Sequence, residues 1–151
     1  MTGHMRLAAA AASAMLLAQF LLGMVVNLWV TIPDHHPGFR PAEYFSGSAQ
    51  SVTWAIAQSG LIWLIVHAAL GLVLVLLALA LLVMAIAARR GSWIAVAGVG
   101  LLGVLGGGFN GASNLDYHED FSSMLMSGGM ALAMGSYLVG LYITHPASET
   151  P

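Results

Sequence analysis

Apolar residues gather into four long runs, at about 7–30, 61–88, 93–110 and 121–144, and the few polar side chains sit almost entirely towards one end of each run. As a helix rising 1.5 Å per residue, the first run spans roughly 36 Å and crosses a hydrocarbon core of about 30 Å with some tilt. The pattern predicts an all-α membrane protein of four transmembrane helices, folded as an antiparallel up-down bundle in a single domain over 1–151. Arg6 ahead of an Ala-rich stretch has the look of a signal peptide, but the apolar run continues far past the small residues at Ala12 and Ala14, so it is read as a retained first span. Ser59-Gly60 breaks the chain before the second span, and Arg89-Arg90-Gly91-Ser92 leaves only a tight turn before the third.

Two longer connections remain, at 31–60 and 111–120. Pro33, Pro37 and Pro41 make the first part of 31–60 extended or turned, because each fixes φ and removes a donor. Its second part, 49–58, reads as a short interfacial helix carrying Trp54 and Ile56 among polar neighbours. The segment 111–120 reads as a compact polar loop, with Asp120 or Ser122 capping the fourth helix.

Composition agrees with the pattern: 59% hydrophobic and 7% charged residues, with a mean hydropathy of +0.87, lie far outside the range of soluble domains. The absence of cysteine excludes disulfides, thiolate metal sites and cysteine nucleophiles. Arg6, Arg40, Arg89 and Arg90 are the only basic residues and are too scattered for a nucleic-acid surface. Three of them fall on one side of the predicted bundle and Arg40 on the other, so the positive-inside bias predicts a cell-membrane protein with both termini cytoplasmic and both long connections outside. Basic charge placed wholly on arginine is associated with GC-rich bacterial genomes, hence the expectation of a bacterial chain.

Candidate chemistry lies near the outer ends of the spans. Gln19, Gly23 and Asn27 form one stripe of the first helix; His67 and Gly71 share a face of the second; Asn110 ends the third; Ser122, Ser123 and Ser127 open the fourth. Unpartnered amides are costly in lipid, so these groups are expected to meet at one depth, with neutral His67 bonded to Asn27, Asn110 or a serine. An ionisable residue within a span is also a functional candidate, which makes His67, Asn27 and Asn110 a candidate cofactor-binding set. In the connections, His35, His36, His118 and Asp116 are ligand types suited to zinc, which needs three or four groups at about 2.0–2.2 Å, although their spacing matches no established signature. Met126, Met130 and Met134 share a helix face; thioethers suit Cu(I), and packing alone also produces such a stripe. Gly103, Gly107 and Gly111 offer a nearly bare face for close helix packing. The run Gly106-Gly107-Gly108 is not read as a phosphate loop, since no strand precedes it and no Lys follows.

Four antiparallel membrane helices with a histidine near one surface resemble, in architecture only, many b-type haem bundles. The resemblance implies haem b held by His67, with the second axial position falling to His118, His35, His36 or Met126, whereas the usual bundle places histidines on two facing spans. No Asp, Glu, Lys or Arg lies inside a predicted span, which argues against a carboxylate proton relay or a voltage sensor, and no G-x-S-x-G elbow surrounds Ser122 or Ser123. The expectation is therefore a non-catalytic accessory or scaffold subunit in the lipid bilayer, packed as a homo-oligomer or in a larger membrane complex. The alternative is a haem- or metal-binding redox protein, using haem b, copper or zinc at His67 and the outer-connection ligands. A neutral-solute pathway along the glycine-lined third span is a third expectation.

Overall fold

The computed structural model describes residues 2–144. Five helices follow one another: α1 (Thr2–Trp29), α2 (Tyr44–Ala57), α3 (Ile62–Ala87), α4 (Gly91–Tyr117) and α5 (Asp120–Ile143), with no strand among the described residues. All but α2 are long and apolar enough to cross a membrane, as expected of a multi-pass membrane protein. The long helices form a ring in the order α1, α3, α4, α5 and back to α1, so that α1 does not meet α4 and α3 does not meet α5 among the described residues. The shorter α2 lies against α3 and α4. The end of the ring carrying α2 is called here the cap end, and the opposite end the termini end.

The termini end is tightly packed. Met5, Ala9, Ala12 and Leu16 of α1 share one buried cluster with Leu81 and Ala85 of α3, Trp93 and Ala97 of α4, and Ala133 and Tyr137 of α5. Arg6 adds a polar fastening: its Nη1 donates to Leu141 O at 2.8 Å and to the Thr144 hydroxyl at 3.2 Å, tying the first turns of α1 to the last of α5. α3 passes into α4 through Arg89 in the left-handed region (φ 52°), with Arg89 N donating to Ile86 O and Arg90 N to Ala85 O. These bonds satisfy carbonyls that the end of α3 would otherwise leave open.

The glycine face foreseen on α4 packs on α5. A Cβ at Gly103 would lie 2.5 Å from Gly129 O and 2.7 Å from Ala133 N, and one at Gly129 would lie 2.7 Å from Gly103 O, so the two backbones touch directly. Gly100 gives way to the Tyr137 ring, and Gly140 to Val96 and Trp93. Ser136 donates across the seam to Val96 O at 2.8 Å.

Three boundaries near the cap end differ from the sequence expectation. α2 begins at Tyr44 rather than 49, because Glu43 caps it: the carboxylate accepts from Phe45 N at 3.0 Å and Ser46 N at 2.7 Å. α4 does not stop at 110 but runs to Tyr117, so the connection expected over 111–120 shrinks to His118 and Glu119. Its Asn-, Gly- and Ser-rich last turns favour turns when considered alone. Packing overrides that preference: Ala112, Leu115 and Asp116 are buried, and Leu115 joins Trp54, Ala55 and Leu64 in a second apolar cluster. α5 takes Glu119 as its N-cap, not Asp120 or Ser122, and no side chain bonds there.

Candidate functional site

Between the four long helices, towards the cap end, lies a cavity of about 570 Å³. Its size follows from residue choice. Gly23 on α1, Gly71 on α3, and Gly107, Gly108 and Gly111 on α4 all line it, withholding side chains where the ring of helices would otherwise fill. The α4 glycine stripe thus does two things: Gly103 seats α5, while further along a Cβ at Gly107 would meet only ordinary contact at 3.5 Å and the one at Gly111 would meet the Met126 thioether at 3.3 Å. The volume falls within the range of small-molecule sites, which are mostly apolar with a few placed polar groups. Here the polar groups are Gln19, Asn27, His67, Ser123 and Ser127, with Ser48, Asn114 and His118 towards the cap. Met126 and Met130 of α5 stand on the helix diagonal to the one that carries His67.

His67 and Gln19 are bonded to each other. The Gln19 amide nitrogen donates to His67 O at 3.1 Å and lies 3.3 Å from His67 Nε2. An amide donating to both places the ring proton on Nδ1. Nδ1 itself is buried without a hydrogen-bond partner, as is the Gln19 side-chain oxygen. A Cβ on Gly23 would stand 3.1 Å from His67 Cε1 and 3.7 Å from Nδ1, so the edge of the ring carrying both nitrogens is turned towards α1. Gly23 is the space that the imidazole occupies. The expected interhelical bond of His67 therefore exists, but its partner is Gln19 and not Asn27, Asn110 or a serine.

The other expected partners divide. Asn27, Ser123 and Ser127 line the same cavity as His67. Asn110 does not: its side chain donates to Gly106 O of its own helix at 2.8 Å. Ser122 is buried outside the cavity lining, and Met134 packs against the termini-end cluster while Met126 and Met130 line the cavity. Gln19, read in the sequence only as part of a stripe, is the group that holds the histidine.

The four residues expected as metal ligands serve the cap. His36 stacks on Trp54, with ring centroids 4.3 Å apart and planes 11° from parallel, and its Nε2 lies 3.2 Å from Leu115 O near the end of α4. His118 ends α4 in the left-handed region (φ 53°) and sets Nδ1 3.4 Å from the Asp34 carboxylate. Its ring and the neighbouring His35 and His36 rings flank Phe39. Asp116 is fully buried inside α4; its Oδ2 accepts from the Ser48 hydroxyl at 2.7 Å, its main-chain oxygen accepts from Arg40 N at 2.9 Å, and Oδ1 has no partner. Among the described residues no three His, Asp or Glu side chains are grouped to hold a metal ion. No family model matches the chain, and no curated protein or solved structure matches it. Tyr44 completes the fastening of α2 to α4, its hydroxyl lying 3.1 Å from Phe109 O and 2.8 Å from the Ser113 hydroxyl.

Proposed function

We propose that this chain is a membrane-embedded binding protein that holds a small molecule, apolar in body and bearing hydrogen-bonding groups, in the cavity beside His67. The observation that carries the reading is a space of about 570 Å³ walled by glycines from three helices and edged by amide, imidazole and hydroxyl groups. Packing alone calls for no such space, because interiors close around their side chains and unfilled volume costs contacts. Binding, not bond-making, is the proposed activity. Solvent extraction of the purified protein followed by mass spectrometry tests it. The wild type is expected to release a non-phospholipid compound in near-stoichiometric amount, and Gly107→Leu, which fills the cavity, is expected to release little. Equal recovery from both proteins would overturn the proposal.

The haem alternative is less well served. Both nitrogens of His67 lie towards α1, so axial ligation would require the ring to turn away from Gln19. Visible absorption lost in His67→Ala would favour haem nonetheless, since Met126 and Met130 stand across the bundle. Copper or zinc at His35, His36, His118 and Asp116 is served less well still, because His36, His118 and Asp116 are engaged with Leu115, Asp34 and Ser48 in turn.

The accessory-subunit reading keeps one specific observation. A shallow apolar groove of about 420 Å³ runs along the outside of α4 and α5, lined by Ala95, Val99, Ala131, Leu132, Gly135 and Val139. Small residues on a lipid-facing surface support close approach of another helix, from a second copy or from a larger complex. This role is compatible with ligand binding.

The pairing of Gly100 with Tyr137, Gly103 with Gly129 and Gly107 with Met126 supports an antiparallel up-down arrangement. Arg6, Arg89 and Arg90 at the termini end support a cell-membrane topology in which that end is cytoplasmic and α2 lies at the outer interface, while the ground for a bacterial chain is still that all basic charge is on arginine. Met1 and 145–151, the terminal residues to which that topology also refers, lie outside the described residues.

A further inference from the structure

We infer that the cavity opens sideways, between α1 and α5 at the cap end, and that its ligand is a molecule dissolved in the bilayer, carrying one or two oxygen functions, which arrives from the lipid and not from water. The two helices are fastened to each other at the termini end. At the termini end, Arg6 bonds to Leu141 O and the Thr144 hydroxyl, while Ala9, Ala12 and Leu16 are buried in the shared core. Towards the cap that closure gives way. Gln19 and Gly23 turn one strip of α1 to α3, and the strip beside it, away from α3, carries Phe20, Met24 and Asn27.

All three of those residues line the cavity and are also exposed, Phe20 at 43% and Met24 at 42%. On α5, Gly129 and Ala133 face α4, and Ser123 and Ser127 occupy the strip next to them on the α1 side. Ser127 likewise lines the cavity and is exposed. One continuous edge thus belongs both to the cavity wall and to the outer surface of helices that are apolar enough to sit in lipid. The cap end is more closed, since α2, the second apolar cluster and the Ser48 to Asp116 bond lie over it. Asn27, Ser123 and Ser127 on this edge can exchange hydrogen bonds with an oxygen-bearing head as it passes, lowering the desolvation penalty that such a group meets in hydrocarbon.

The inference rests on the binding reading, yet access can be measured whether or not the native ligand is retained. The chain has no cysteine, so Met130→Cys places a single thiol on the cavity wall. In membranes, a lipid-soluble maleimide is expected to modify it, and a charged, membrane-impermeant reagent is not. Adding Ser127→Trp at the α1/α5 edge should slow modification at least about tenfold, equivalent to about 1.4 kcal/mol of added barrier. Gly128→Trp, on a neighbouring residue outside the cavity lining with nothing within 4 Å, should leave the rate unchanged. Asn27→Trp repeats the block from the facing helix should Ser127→Trp fail to fold, as judged by gel filtration. A rate unaffected by either block, a thiol that reacts only with the charged reagent, or a block produced instead by Gly108→Trp at the α3/α4 edge would overturn the inference. Retained access together with no extractable compound would count against the binding reading and leave the route standing.

Discussion

His67 owes its position to a glycine and an amide. Gly23 supplies room for the ring and Gln19 holds both its Nε2 and its main-chain oxygen, so α1 and α3 are keyed at one height. Interhelical hydrogen bonds in membranes contribute about 0.6 kcal/mol on average and up to about 1.7. A double-mutant cycle on Gln19→Ala and His67→Ala, read by unfolding in denaturing detergent, is expected to give a coupling in that range. Strict additivity would show that the pair is incidental. Glu43 supports a second residue-scale expectation, this one in pH. Its backbone hydrogen bonds from Ser46 and Phe45 hold its pKa below the ordinary carboxylate value. A depressed folded-state pKa means that the cap's contribution is present above the unfolded value and is lost as pH falls through the folded one. Protection of the Phe45 and Ser46 amides, taken relative to their intrinsic exchange rates at each pH, should therefore be lost only below the usual carboxylate range, and in Glu43→Ala it should be weak at every pH. Part of this was legible in the chain. Gln19 and Gly23 mark the inward face of α1, while Asn27, on the same stripe in the sequence, stands exposed at its edge; a face does not fix which residue on α3 lies at the same height, so the partner of His67 is not legible in the chain.

At the scale of elements, close packing of α4 on α5 depends on glycines whose roles differ by one position. Gly129→Ala would set a methyl 2.7 Å from main-chain atoms of Gly103 and Gly107, which cannot swing aside, whereas Gly128→Ala meets nothing within 4 Å. The first is expected to destabilise by about 1–3 kcal/mol, as overpacking does. The second should be neutral or stabilising by about 0.5–1 kcal/mol, the usual gain of Ala over Gly in a helix. Equal effects from the two would refute the seam described here. The four apolar runs and the glycine face were readable because length, hydropathy and helical spacing are local properties. The extension of α4 over Gly111, Ser113, Asn114 and Asp116 was not. Those residues favour a turn alone and become helical because α2 covers them through Tyr44, Ser48 and Trp54, residues far away in the chain. The same distance hides the setting of Asp116: the sequence places it in a polar loop, and the fold buries it fully against Ser48.

On the scale of the whole molecule, the bundle is sealed at one end and hollow towards the other. Arg6, the Arg89 turn and a core built around Trp93 and Tyr137 close the termini end, while glycines on three helices hold the cap end apart around His67. A histidine and amides inside an apolar ring were visible in the sequence, but a cavity is a sum over four helices and no single run of residues records it. The central claim is that this space is a binding site and not a packing defect. An experimental structure of the wild-type protein, taken from its native membrane directly into nanodiscs without detergent, tests that claim most directly. The account predicts discrete non-protein density between His67 and the Met126–Met130 wall, reaching the α1/α5 edge at Ser127 and Asn27. Helices α1 and α5 closed upon each other, with side chains filling the space, would contradict it.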